Sequence, residues 1–138
     1  MLFSGESEGN RVDLDAKPTI GAGSAMTPKE LVSIAVSGCT AMDVVALMKK
    51  YKQPLESFEV TADVTMKEGV QPAVFSSVSL TFSMTGSLDV AKVNEAIHLS
   101  QTKFCSVSAM LSKAVPIHYR IILNGQEIGH GDASFSDT

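Results

Sequence analysis

Cysteine, basic charge and unbroken apolar sequence are all scarce in this chain, and each shortage removes a class of protein. Two cysteines in 138 residues are too few for a disulfide scaffold, and a chain of this length buries enough surface to fold without one. They read as cytosolic thiols, whether inert, metal-binding or catalytic. The net charge is −4 and no stripe of Lys or Arg gathers anywhere, so no nucleic-acid partner is expected. The opening "MLFSGESEGNR" has neither the basic head nor the apolar centre of a secretory signal, and the expected location is cytoplasmic. A membrane span needs about 20 predominantly apolar residues. Here Asp43 interrupts the longest run, and Ser33, Ser37 and Thr40 dilute it, so no membrane partner is expected. Gly21-Ala22-Gly23 lacks the rest of a nucleotide-binding glycine pattern, and no cofactor is expected. No repeat, low-complexity tract or linker divides the chain; residues 1–138 are expected to form a single domain.

What is present is organised around residues 27–50. Thr27 is a candidate N-cap, Pro28 suits the first helical position, and Glu30 completes a capping box. The residues that follow are apolar or small on every side, which predicts a helix buried all round. Ser37, Gly38 and Cys39 let another backbone come close at its middle and put one thiol near the centre of the most buried element. The helix should end within 51–54, after Lys49 and Lys50, whose charges suit its negative end.

Residues 1–10 leave room for a short strand, and Val12 and Leu14, alternating with charged neighbours, predict another. From Phe58 the period changes to two. Phe58, Val60, Ala62, Val64 and Met66 form one face of a half-buried strand. After the turn "EGVQP", residues 74–85 put Val78, Leu80, Phe82 and Met84 on one face and close an antiparallel hairpin. Ser87 or Asp89 caps a second helix with Val90, Val93, Ile97 and Ser100 in its stripe. The helical pattern breaks near "TKFCS" and restarts as a shorter helix with Val107, Met110 and Leu111 inward. Pro116 opens a last strand, "IHYRIILN"; Asn124-Gly125 is a two-residue hairpin signal. "QEIG" then makes a short return strand, and the tail "HGDASFSDT" is expected to be loose. The class is α+β, helices on antiparallel sheet. A helix apolar on all faces needs more cover than these strands supply, which predicts an obligate homodimer.

"ELVSIAVSGCTAMDVV", followed further on by "KFCSVSAML", resembles the OsmC/Ohr family, the osmotically inducible protein C and organic hydroperoxide resistance proteins. The shared motifs are a Pro-x-Glu-Leu helix start, a Cys among small residues in mid-helix, and Phe-Cys-Ser before a short helix. The resemblance implies an OsmC-like fold: an intertwined homodimer with two long buried central helices wrapped by antiparallel sheets. It implies two interface sites, each holding both cysteines, and reduction of organic hydroperoxides at the expense of a dithiol reductant. Cys39 would then attack and Cys105 resolve. The family's peroxidases carry a Glu ten residues before the first Cys, paired with an N-terminal Arg. Lys29 stands at that position here, Glu30 follows it, and Arg11 is the only N-terminal Arg. These features match the shorter OsmC-like branch and predict a weak peroxidase.

The residues themselves say the following. A thiolate, not a thiol, attacks a peroxide. Cys105 precedes a helix and neighbours Lys103, and both favour its thiolate. Cys39, in mid-helix, needs a cation from elsewhere, Arg11 or a group of the second subunit. Asp43, four residues on, shares the helical face of Cys39 and is either a site member or a structural carboxylate. Glu30, Arg11 and Asp43 are therefore supporting candidates. His98, His118 and His130 make no close-spaced ligand pair with either cysteine, so no metal is expected. Met42, Met48, Met84 and Met110 read as core filler or as the lining of an apolar pocket. Three functions stay open: a thiol peroxidase for small apolar hydroperoxides, a binder of a small apolar ligand, and a dithiol redox partner or sensor that oxidises without efficient turnover.

Overall fold

The structure, a computed structural model, describes residues 1–136. It divides into two compact units, residues 1–34 and the chain from Ala35 onward. In the first, β1 (Phe3–Ser7) and β2 (Asn10–Leu14) form an antiparallel hairpin. Its turn residues Glu8 and Gly9 both take positive φ, 49° and 80°, the twist that matches the flanking strands. The loop that follows folds over buried Asp15, which accepts from the backbone N–H groups of Ala16 and Ser24 and from the Ser24 hydroxyl. These donors hold its carboxyl well below the usual range.

Helix α1 (Pro28–Lys50) opens on the capping box read from the sequence. The Glu30 N–H donates to Thr27 Oγ1 at 3.2 Å, and the Thr27 N–H to Glu30 Oε2 at 2.7 Å. The helix ends without a glycine. Lys52 takes φ 55°, its N–H reaches the Lys49 carbonyl, and the Gln53 N–H reaches that of Met48. This is a Schellman closure around a lysine.

The second unit holds a four-stranded sheet, β3 (Ser57–Met66), β4 (Phe75–Thr85), β5 (Ile117–Leu123) and β6 (Gln126–Asp132), in that spatial order. The sheet is mixed, which corrects the expectation of antiparallel sheet alone: β4 and β5 run parallel. Antiparallel neighbours can share a tight turn, whereas parallel ones need a crossover. Here α2 (Val90–Leu99), a π-helix (Ser100–Phe104) and α3 (Ser106–Leu111) supply it. Register places like beside like: Val60–Phe82–Ile121 and Val64–Val78–Ile117 are rows across three strands. Those rows pack with Val36, Val44, Leu47 and Met48 of α1 and Val93, Ala96 and Ile97 of α2 into one core. Phe82 stacks on Phe58 and meets Tyr119 edge-on.

Other differences concern faces. α1 is buried along Val36, Thr40, Val44, Leu47 and Met48, while Met42 is 76% exposed. The four-stranded sheet covers one side of this helix. It is long and apolar enough to cross a membrane by length and composition, yet its buried residues sit in the protein core. Val90 and Met110, expected inside, are exposed. Val90 begins α2 one turn before the stripe is covered, and Ser108 and Ala109 take the inward positions of α3. The return strand is longer than "QEIG", because β6 pairs with β5 out to Asp132. Beyond it, Ala133 and Ser134 donate to the carbonyls of Ile117 and Gln101. The last two residues of the tail expected to be loose, 137 and 138, lie outside the described residues.

Candidate functional site

Within the second unit, two segments bring the cysteines together. α1 carries Cys39, half-buried, on the turn between Val36 and Thr40. The π-helix carries the chain to Cys105, whose N–H donates to the Ser100 carbonyl at 2.9 Å, five residues back. A π-turn widens the helix by one residue and is common at functional sites. It also ends α2, so that Cys105, fully buried, becomes the N-cap of α3. The Cys39 side chain lies beside Cys105 as a hydrogen-bond neighbour, and its Sγ is 4.0 Å from Ser106 Oγ.

The Cys105 environment corrects the expectation of a favoured thiolate. Burial pushes its thiol up to about 11. The Ser108 hydroxyl and the Ser108 N–H, which donates to Sγ at 3.4 Å, pull the other way, and Cys39 adds to the upward push. The outcome follows from magnitude. Losing water around a charge outweighs two weak donors. Lys103 points its ammonium over the Phe104 ring, 5.8 Å from the centroid, and is itself exposed.

A buried polar chain joins the two cysteine-bearing elements. Gln101 Nε2 donates to Thr40 Oγ1 at 2.9 Å, Thr40 and Ser100 share a hydroxyl–hydroxyl bond of 2.7 Å, and Ser100 Oγ donates to Asp43 Oδ2 at 2.8 Å. Asp43 is thus drawn to the same junction as the cysteines. Nothing in the sequence marks Thr40, Gln101 or Ser108 as site residues, whereas Ser106 belongs to the Phe-Cys-Ser motif. A π-turn has no sequence signature, and Thr40 in an apolar run looks like a diluting residue. An open cleft of about 480 Å³ reaches Cys105, lined by Phe104, Ala109, Met110 and Phe135 with Lys103 and Lys113.

The remaining candidates have partners of their own. In the first unit Glu30 pairs with Lys17, Oε1 to Nζ 2.7 Å. That ammonium and the Thr27 N–H lower its carboxyl to about 2. Lys17 had no sequence signal, since it reaches Glu30 across a loop. Arg11 on β2 pairs with Asp13 at 3.4 Å and donates to Ser4 Oγ at 2.6 Å. His98 and His130 are exposed, and His118 Nδ1 bonds Asp132 Oδ1 at 2.5 Å on the open face of the sheet. Among the described residues no three His, Cys, Asp or Glu side chains gather as a metal site would need.

Residues 21–120 match the sequence model of the family described as OsmC-like protein. Protein YhfA of Escherichia coli K12 is 37% identical over 119 residues, 85% of this chain and 86% of that protein; its name states no activity. An OsmC-like protein from Mycoplasma pneumoniae superposes with TM-score 0.72 at 13% identity, over 88% of each chain. An organic hydroperoxide resistance protein OsmC from Legionella pneumophila superposes with TM-score 0.66 at 17% identity, over 88% of this chain and 95% of that one. At such identities the likeness of these two structures is one of fold.

Proposed function

This chain belongs to the OsmC-like protein family, and on that premise we propose that it reduces organic hydroperoxides with a pair of thiols. The observation that carries the reading is the juxtaposition of half-buried Cys39 with buried Cys105 beside an apolar cleft. The Cys39 thiolate attacks the terminal peroxide oxygen. The O–O bond breaks, the alcohol leaves with a proton, and Cys39 becomes a sulfenic acid. Cys105 then attacks the Cys39 sulfur, and hydroxide leaves as water with the Cys105 proton. A disulfide remains, and a dithiol reductant returns both thiols by exchange.

The reaction is slow. Cys105 is mostly protonated at neutral pH because burial holds it near 11, so little thiolate is ready for the second step. Glu30 is committed to Lys17 and the helix cap. The apolar cleft lining favours apolar hydroperoxides over hydrogen peroxide. It also supports a second reading, a binder of a small apolar ligand whose thiols do not turn over. In either case the protein acts as a cytoplasmic homodimer. The uncovered face of α1, a groove of Ala41, Met42, Val45 and Ala46, is the surface that a second copy covers.

The test is peroxide consumption with a dithiol, followed by mass spectrometry after one equivalent of cumene hydroperoxide. Cys39→Ser should abolish consumption. Cys105→Ser should still be oxidised once and stall as the Cys39 sulfenic acid. An unoxidised Cys39 in the wild-type protein rejects the peroxidase and leaves the apolar-ligand binder.

A further inference from the structure

We propose that Thr40, Ser100, Gln101 and Asp43 are positioning residues that hold Cys105 within reach of Cys39, with Ser100 as the joint. The proposal rests on the two-thiol reading above. Its basis is the direction of the hydrogen bonds. Ser100 has one hydroxyl proton and gives it to Asp43 Oδ2. The Thr40 hydroxyl must therefore donate in the 2.7 Å bond to Ser100. Thr40 in turn accepts from Gln101 Nε2. Every donor points along one chain, from the Gln101 amide to the Asp43 carboxylate, and each link polarises the next.

The chain connects the parts whose relative position decides disulfide closure. Thr40 follows Cys39 directly on α1, and Asp43 lies on the next turn. Ser100 and Gln101 begin the π-helix that ends at Cys105. Ser100 is tied on both sides: its side chain to Thr40 and Asp43, its carbonyl to the Cys105 N–H. Thr40, Ser100 and Gln101 are wholly buried. Gln101 Oε1 is also buried and has no partner among the described residues. Apolar side chains of the same volume would fill this junction without that desolvation cost. What they could not do is fix the rotation and height of α1 against the π-turn, since apolar contact is non-directional.

The test uses thiol–disulfide exchange and needs no hydroperoxide. The full-length protein is equilibrated with reduced and oxidised dithiothreitol at set ratios, quenched in acid, and its Cys39–Cys105 disulfide quantified. Two electrons and two protons pass between the two dithiol couples. Thr40→Val and Ser100→Ala should each lower the disulfide-to-dithiol ratio about tenfold, which raises the reduction potential by about 30 mV. Thr40→Ser, which keeps the hydroxyl, should return most of that shift. Leu123→Ala, a core variant outside the network, should lose stability and keep the wild-type potential. Wild-type potentials in both Thr40→Val and Ser100→Ala overturn this proposal alone. No disulfide in the wild-type protein at any ratio overturns the two-thiol reading, and this proposal with it.

Discussion

The two cysteines differ in what surrounds them more than in what flanks them in sequence. Cys105 has a helix start and a lysine beside it, the neighbours that lower a thiol. Its helix is only six residues long, and the lysine charge lies over Phe104, facing solvent. Burial decides the balance and carries the thiol up to about 11. Alkylation should report this directly. With iodoacetamide at neutral pH, peptide mass spectrometry should find Cys39 modified first and Cys105 at least about tenfold more slowly, because only the thiolate reacts. Equal rates would mean that Cys105 is not held in its protonated state.

At the scale of elements, both ends of α1 are closed by local chemistry, one legible and one not. The Thr27–Glu30 box is written in the sequence and forms as read. The Schellman end depends on Lys52 adopting a left-handed conformation, which no glycine announces. The box carries a pH dependence. Glu30 ionises at about 2 in the folded protein against an ordinary 4.5, so between those values the unfolded chain binds more protons than the folded one. Its stabilisation is therefore complete above pH 4.5 and disappears as the pH falls to about 2. The melting-temperature gap between wild type and Glu30→Gln should close over that interval. A gap that persists to its acid end would place the effect elsewhere. In the turn between β5 and β6, Asn124 and Gly125 take φ 49° and 83°, and the Asn124 amide also bonds both the N–H and the carbonyl of Gly86. One turn residue thus ties two loops.

For the whole molecule the decisive feature is the α1 face that its own chain leaves open. Met42 is 76% exposed in the second half of α1, with Ala41, Val45 and Ala46 beside it. Sedimentation should find a dimer at nanomolar concentration. Met42→Glu should shift it to monomer, because a carboxylate buried in an apolar interface costs several kcal/mol. A wild-type monomer at that concentration would end the interface reading.

The order of elements, the hairpin faces and the helix cap were legible because each rests on local rules. Alternation placed Val78, Leu80, Phe82 and Met84 inward, Thr27 and Glu30 began α1, and Asn124-Gly125 turned the chain. That the two cysteine motifs form one site is what the family resemblance implies. Tertiary structure alone decided that β4 and β5 run parallel, that a π-turn delivers Cys105, and that Ser100, Thr40 and Gln101 lock to Asp43. The physical reason is range. Caps, turns and alternation depend on residues a few positions apart, whereas strand order, desolvation and hydrogen bonds across some sixty positions exist only once the chain has closed on itself.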